Sequence, residues 1–589
     1  MLIEEKYKHV LSEYGFTELN SAVNVNYLVK DALASYVSSC KKPALWCYGR
    51  HTKMLMADFM SELRSVKYII DERADEYKGD SGFQVINKRE IIDNEIDGII
   101  ISSYKFREEI RQILIRDYPD VSYLDIYEYM ENQGVYLDRE YYDLLHPYSR
   151  YIRINDLQLQ LAEVGKNQEE IYVQLIGCFI EIKDFYLAVS FSKELYQLFP
   201  KAKYKRLIHD LQDIYELECE MCSNISEENV LILCIDGLRN KDISEREMPV
   251  FKEFSKRFYR YENAYSVSTS TYESLVPVFS ENADMRTMYY VNNSVNDKEC
   301  RFIQKAYEQK RVLTFNTDGA RFIESEKIHN VESYQTASEK IWNFILDTYD
   351  EKNALYYLHI LFESHYSYPN PYIKTPIIAE GSNIIFDFMQ SNGGKIRTNY
   401  EMQHHAMLKY LDDAIIPILQ KVKCRMVIFA DHGNIIVGQQ ERLDTLQPLL
   451  FTYHQDLVRI PLMIKSPEMG EGVELEDISL MELNTMIISL LEKKKFERKY
   501  GNLVKIQRSE IYNPDFKFLY EKRGYRQGLL AFEVFLFDGK YKLGIFSNGQ
   551  TELISTEDDE SVKNEILKKQ MFDQIKEYIT VCSLESIDL

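Results

Sequence analysis

Apolar residues recur along this chain in changing rhythms, and each change of rhythm marks a new part of the molecule. Residues 1 to about 40 carry them at helical spacing, as in Val29-Lys-Asp-Ala-Leu-Ala-Ser-Tyr36, which predicts two amphipathic helices. From Pro43, short apolar runs and helical stretches alternate: Ala44 to Gly49, a helix through Met54 to Leu63, Lys67 to Asp71, Gly98 to Ser102, a helix from Arg107 to Arg116, then Val121 to Asp125. This predicts an alternating α/β unit. Residues 136 to 225 read as helical, with Glu169 to Ile182 and Asp184 to Leu198 as an antiparallel pair ahead of Pro200. A single such pair cannot bury its own face, so it continues in neighbouring helices or serves as a spacer.

A third region opens at Asn229. Val230-Leu-Ile-Leu-Cys-Ile-Asp236-Gly237 is a near-continuous apolar run, the pattern of a central strand in a parallel sheet, with Asp236 at its carboxyl end. Ala354-Leu-Tyr-Tyr-Leu-His359 is another strand. A helix from about Asn399 to Lys421 leads into a further one, Val427-Ile-Phe-Ala-Asp431-His432-Gly433-Asn434. Near the end the period shortens to two: Phe532 to Phe537 and Tyr541 to Phe546 flank Asp538-Gly539, a hairpin signal. Thr551 to Ile554 and a last helix from about Ser561 to Tyr578 follow.

These patterns predict an α/β chain with a mostly parallel central sheet flanked by helices and a small C-terminal antiparallel subdomain. A Rossmann-like α/β domain and a helical spacer precede it. The expected boundaries are 1–135 for the Rossmann-like domain with its N-terminal helices, 136–225 for the spacer, 226–495 for the main α/β domain and 496–589 for the C-terminal sheet and helix.

Chemistry gathers where strands of an open α/β sheet end. Asp431-His432-Gly433 alone is more often a turn than a site, but Asp236 supplies a second acid at a strand end, and two such ends can converge on one metal. Ser268-Thr-Ser-Thr-Tyr-Glu-Ser-Leu-Val-Pro-Val-Phe279 crowds hydroxyls at a helix start. Ser270 with Glu273 fits a capping box; equally, a helix N-terminus attracts phosphate, and a hydroxyl in its first turn is placed to attack one. An unassisted threonine is a poor nucleophile, and a bound dication corrects that. His359 ranks below His365 as a site histidine, a core histidine at a strand end being its plainer reading, and His404 and His405 read as surface residues. In the first unit Gly49 stands alone where a nucleotide fingerprint needs three glycines, and Asp71 would meet a ribose only if a nucleotide binds.

Composition narrows the choices. The 589 residues carry a formal charge of −22, which argues against sequence-independent nucleic-acid binding. Nine cysteines without a paired pattern suit a reducing compartment. Cys219-Glu-Met-Cys222 reads as two helix residues. No run approaches the ~18 apolar residues of a membrane span, so a cytoplasmic location is expected, with peripheral membrane contact left open.

From Asn229 to about Glu492 five motifs occur in order: I-D-G-L-R at Asp236, T-S-T-Y-E-S-L-V-P-V-F-S around Thr271, E-S-H at His365 ahead of P-Y, F-A-D-H-G at Asp431 and His432, and His454 ahead of R-I-P-L. The region resembles the sulfatase-like branch of the alkaline phosphatase superfamily, and within it the phosphoethanolamine transferases and lipoteichoic acid synthases. The resemblance implies that Asp236, Thr271, Asp431 and His432 hold a first divalent ion, that Thr271 is the nucleophile, and that His365 and His454 bind the substrate phosphate or a second ion. It implies Zn²⁺ or Mn²⁺, one or two ions, as mixed oxygen and imidazole ligands suit. The implied activity is transfer of a phosphoethanolamine- or phosphoglycerol-type group from a phosphodiester donor to a hydroxyl acceptor, on a glycan for example, through a phosphothreonine, with His365 or His454 assisting proton transfer or charge neutralisation. Water as acceptor would make the same site a phosphodiesterase or phosphatase. A non-catalytic scaffold is the alternative of another class. The C/S-x-P-x-R context of formylglycine sulfatases is missing, so sulfate-ester hydrolysis is not expected.

Overall fold

The computed structural model describes residues 2–587 apart from 17–24, 50, 53–54, 57–58, 75–82, 105, 134–146, 164–166, 285–293, 319, 332, 366–367, 374–393, 435–452, 502 and 510–530. By its contacts the chain divides into two units. One comprises Met1–Glu181, Ala188–Leu211 and Pro369–Asn383; the other comprises Ile182–Leu187, Gln212–Tyr368 and Ile384–Leu589.

The first unit holds a five-stranded, all-parallel sheet in the order Gln84–Ile86, Tyr68–Ile70, Pro43–Trp46, Gly98–Ile101, Ser122–Asp125. Side chains alternate between faces along each strand. Leu45, Ile69 and Ile100 therefore pack with Val29 and Leu33 of the helix Val25–Ser39. Ala44, Trp46, Ile99 and Ile101 face the other way, against Ile110 and Leu114 of the helix Arg107–Asp117. Both faces are thus covered, as parallel sheets require.

Two expectations need correction here. The strand Gln84–Ile86 was not legible, being three residues long. The continuous helix from Met54 to Leu63 is not seen either: residues 60–65 form turns, and Met54 lies outside the described residues. The helix pair appears as Gln168–Glu181 and Phe185–Leu198. Within the first unit the Phe179 and Phe191 rings lie 5.0 Å apart and the Tyr172 hydroxyl donates to Glu194, which sets an antiparallel pairing.

The second unit is organised around an eight-stranded sheet. Its order is His329–Asn330, Val312–Asn316, Ala354–Ile360, Val230–Ile235, Arg425–Phe429, Leu462–Lys465, Tyr259–Tyr261, Gly472–Glu474. The first five run parallel, and Leu462–Lys465 is antiparallel to its two neighbours. Val230–Ile235 lies at the centre with every residue buried. Each leucine or isoleucine so enclosed contributes about 1.5–3 kcal/mol. The neighbouring Tyr356 and Tyr357 point to opposite faces. Tyr356 meets Phe344 of the helix Ala337–Thr348 at 5.1 Å, and Tyr357 meets Phe279 of the helix Thr271–Ser280 at 6.0 Å. Helices therefore cover both sides of a mostly parallel sheet, the expected class.

The long helix expected from Asn399 to Lys421 is Gly394–Tyr410, a π-turn at Leu411–Ile415 and Ile416–Leu419. The π-turn presents Asp412 to the backbone N–H groups of Val250 and Phe251, at 3.0 and 2.8 Å. It thereby caps the helix Pro249–Ser255, whose own N-cap residue, Met248, makes no side-chain cap.

The C-terminal sheet pairs Lys505–Ser509, Ala531–Phe537, Tyr541–Phe546 and Thr551–Ser555, all antiparallel. Asp538 and Gly539 both adopt positive φ, 49° and 62°, which turns the expected hairpin tightly. The last helix is Glu565–Ile575 with a short 3₁₀ extension to Tyr578. All nine cysteines are free, and Cys219 and Cys222 sit in the helix Ala202–Asn224. Among the described residues no helix is long and apolar enough to cross a membrane.

Candidate metal centre and nucleophile

Three adjacent parallel strands bring the chemistry together at their carboxyl ends. Val230–Ile235 delivers Asp236, Arg425–Phe429 leads through Ala430 to Asp431 and His432, and Ala354–Ile360 carries His359 and leads to His365. Asp236, Asp431 and His432 each offer a ligand atom within 4.8 Å of the others.

Asp236 is the hub. Its Oδ1 lies 2.8 Å from His365 Nε2 and 3.5 Å from His432 Nε2; its Oδ2 lies 3.2 Å from His359 Nε2 and accepts from the Thr271 hydroxyl at 3.1 Å. Thr271 Oγ1 is also 3.3 Å from His432 Nε2. Burial works to raise the Asp236 carboxyl. The His365, His359 and His432 rings more than offset that and hold it well below the usual carboxylate range. Burial likewise works to lower His432, and the Asp431 and Asp236 carboxylates outweigh it, so its pKa is raised.

Two glycines make the convergence sterically feasible. Gly237 has φ +67°, its N–H points at Asp431 Oδ1 at 3.3 Å, and a Cβ there would stand 3.0 Å from the His365 ring. Gly433 donates to the Leu457 carbonyl at 2.7 Å, and a Cβ would fall 2.0 Å from the Asp456 carbonyl oxygen.

The residues fit a divalent cation on the donor set itself. Asp236 and Asp431 are both fully buried, and Asp431 Oδ2 has no hydrogen-bond partner among the described residues. A buried, unpartnered carboxylate oxygen beside a second carboxylate is costly unless positive charge joins them. The His432 Nδ1–H donates to the Gly433 carbonyl at 2.7 Å, so Nε2 presents its lone pair inward.

The expected ligands are thus gathered except His454. Its partners lie elsewhere: Nε2 is 3.2 Å from Asp559 Oδ2, and Nδ1 accepts from the Asp456 N–H at 3.1 Å. Thr271 begins its helix as expected, but Ser270 makes no side-chain cap, and its hydroxyl is buried with no partner among the described residues. Glu273 instead accepts from the Ser268 hydroxyl at 3.0 Å, so the capping-box reading is corrected.

Other residues take different roles from those expected. His359 belongs to the cluster, and its strand parity with inward-facing Tyr357 was the available signal. His404 is not a surface residue: it is buried, 2.5 Å from Arg239 and 3.2 Å from Asp242, whereas His405 is exposed beside Glu247. Arg508 was not anticipated. It is buried, donates to Thr269 Oγ1 at 2.5 Å and adds positive charge near His432. The buried Lys340 ammonium joins Asp318 to the His359 carbonyl and fixes that strand end. In the first unit, Asp71 spends its carboxylate on the Tyr48 and Arg73 N–H groups at 2.8 and 2.9 Å, which makes it a turn cap.

A family model described as C2185-like, N-terminal matches residues 39–120, the span of most of the first sheet. No curated protein matches the chain. Among solved structures, a phosphonate monoester hydrolase from Silicibacter pomeroyi aligns at 12% identity and TM-score 0.45, over 60% of this chain and 96% of that one. The phosphonate monoester hydrolase of Agrobacterium radiobacter aligns at 9% and 0.42, over 59% and 95%. A 2-O GAG sulfatase aligns at 11% and 0.41, over 60% and 92%.

Proposed function

We propose that the second unit is a metal-dependent enzyme of the alkaline phosphatase superfamily, sulfatase-like branch, that transfers a phosphoryl-type group through Thr271. The observation that carries this reading is the position of the Thr271 hydroxyl. It stands at a helix N-terminus, 3.1 Å from Asp236 Oδ2 and 3.3 Å from His432 Nε2, beside the unpartnered Asp431 oxygen.

Asp236, Asp431 and His432 would hold a Zn²⁺ or Mn²⁺ ion. When bound, such an ion lowers the pKa of a nearby hydroxyl and neutralises charge on a phosphate oxygen. Thr271 Oγ1 attacks the phosphorus of a phosphodiester, and its proton passes along the hydrogen bond to Asp236 and on to His365, whose Nε2 stands 2.8 Å from the other oxygen of that carboxylate. The bond from phosphorus to the donor alcohol breaks, and His365, partly exposed at the cluster's edge, protonates the departing oxygen. An acceptor hydroxyl then gives its proton to His365 and displaces the Thr271 oxygen, which takes a proton back by way of Asp236, and the enzyme is regenerated. A phosphoethanolamine- or phosphoglycerol-type donor and a glycan acceptor are the finer assignment; water in the acceptor's place gives the hydrolase. His454, engaged with Asp559, is assigned no step.

Intact-mass measurement tests this directly. Metal-loaded protein incubated with a phosphodiester donor gains a covalent adduct, whose mass names the transferred group, and Thr271→Ala gains none. An adduct that persists in Thr271→Ala, or wild-type protein that neither binds metal nor gains an adduct, would overturn the reading and leave a non-catalytic scaffold.

A further inference from the structure

The second unit has a separate cavity, of about 320 Å³, lined by several cations and by none of the metal-cluster residues. Its cations come from separate elements: Arg239 and Lys241 after the central strand, Lys252 on the helix Pro249–Ser255, Arg260 on the strand Tyr259–Tyr261, and Arg459. Against these five stand Glu262 and Asp456 in the lining and Asp242 behind Arg239. In a chain of formal charge −22 such a local excess of positive charge is a built feature.

Part of that charge is already satisfied. Arg239 is bonded to Asp242 and Asp456, and His404 Nε2 lies 2.5 Å from its Nη2; Lys241 reaches Asp456 at 2.5 Å; Arg459 donates to the Glu262 carbonyl. Arg260 is different. Its Nε and Nη1 are buried with no hydrogen-bond partner among the described residues, and Glu262 comes no nearer than 3.9 Å to Nε. Donors left unmade on a partly exposed guanidinium that lines the cavity cost free energy that an anion there would offset.

We propose that this cavity binds a phosphorylated small molecule at a site separate from the metal cluster. Cations converging from several directions suit the three oxygens and double charge of a phosphomonoester better than a single planar carboxylate. Ile243, Leu462 and Met463 line the rest and leave room for a small organic group. The two sites share a wall: Arg239 lies three residues beyond Asp236, and the Asp456 backbone packs directly on Gly433. A ligand that draws Arg239 and Lys241 from Asp456 therefore acts on the peptide that buttresses His432.

Calorimetric titration of the full-length protein with ribose 5-phosphate, at fixed ionic strength, tests the assignment. Wild type binds, Arg260→Ala and Lys252→Glu each weaken binding at least about tenfold, and Asp431→Asn, which lies outside the cavity lining, still binds. Arg260→Lys, which keeps the charge and loses the fork, falls between. Should Arg260→Ala fail to fold, the helix-borne Lys252→Glu reads the same wall. Equal affinity in wild type and the cavity variants overturns the proposal. So does loss of binding in Asp431→Asn, which would place the anion on the metal cluster, or malonate binding as tightly as ribose 5-phosphate.

Discussion

His432 donates its Nδ1–H to the carbonyl of its own neighbour, Gly433, at 2.7 Å. A carbonyl only accepts, so this bond selects the tautomer whose Nε2 lone pair faces Asp236 and Asp431. Metal affinity then depends on Asp431 and His432 and not on His454, whose ring is engaged with Asp559. After loading with Zn²⁺ or Mn²⁺ and desalting, wild type should retain about one ion per chain or more. Asp431→Asn and His432→Ala should lose most of it, and His454→Ala should keep it. Elemental analysis reads all four. Chelation should also lower the wild-type melting temperature, because two buried carboxylates lose their counter-charge, and this shift should shrink in Asp431→Asn.

Glycine at position 433 is demanded by the chain segment that packs on it. An alanine Cβ would meet the Asp456 carbonyl oxygen at 2.0 Å and the Leu457 carbonyl carbon at 3.2 Å, both backbone atoms that cannot rotate away. Gly433→Ala should therefore cost about 2–3 kcal/mol or more and release bound metal. At Gly49 none of the described residues comes within 4 Å of the added carbon. Gly49→Ala should stay within about 0.5 kcal/mol of wild type in urea unfolding. Equal effects at the two positions would show that the His432 turn tolerates displacement.

Residue patterns disclosed the long elements and most of the site because both rest on local rules. The run Val230 to Ile235 is apolar without interruption since both faces of its strand are covered, and Asp236 and Asp431 end neighbouring strands. What stayed hidden depends on tertiary neighbours. Arg508 lies in Lys-Ile-Gln-Arg-Ser, which carries no site motif, and becomes part of the site through its bond to Thr269. His404 and His405 are adjacent and chemically identical, yet one is buried against Arg239 and Asp242 while the other is exposed. Ser270 obeys the capping rule in sequence and breaks it in space, since Glu273 is taken by Ser268. The π-turn at Leu411–Ile415 leaves no local mark beyond the paired acids Asp412 and Asp413.

Acid should destabilise the first unit through His51. Burial pushes this ring down to about 3, with the Tyr127 hydroxyl 2.5 Å from Nδ1. Unfolded, the ring protonates near 6.5. Between those values the unfolded chain binds a proton that the folded unit refuses, so the stability present at neutral pH is lost as pH falls below about 6.5. From pH 7 to pH 5 the loss amounts to about 2 kcal/mol. His51→Gln keeps a polar partner for Tyr127 and does not titrate. Its unfolding free energy should fall less over that interval, by about the same amount; parallel pH profiles for the two proteins would refute this.

Removing a buried acid should, by contrast, strengthen the second unit. Glu218 lies in the helix Ala202–Asn224, fully buried, and neither carboxylate oxygen has a hydrogen-bond partner among the described residues. Burial first, and then the charge of Asp184, raise its pKa well above the usual range. Asp184 is itself pushed up to about 6 by burial, although the Leu187 N–H and Tyr410 hydroxyl bond it. An acid whose folded pKa is raised binds its proton more tightly folded than unfolded. Its cost therefore grows as pH rises from the unfolded carboxylate range through the folded value. Methionine matches the side chain's length and brings no polar atom to bury. Glu218→Met should gain about 1–3 kcal/mol at neutral pH, and the gain should be larger at pH 8 than at pH 5. Urea unfolding at the two pH values reads both the sign and the trend, and a loss of stability at pH 8 would mean that the carboxylate is held by a partner in solution.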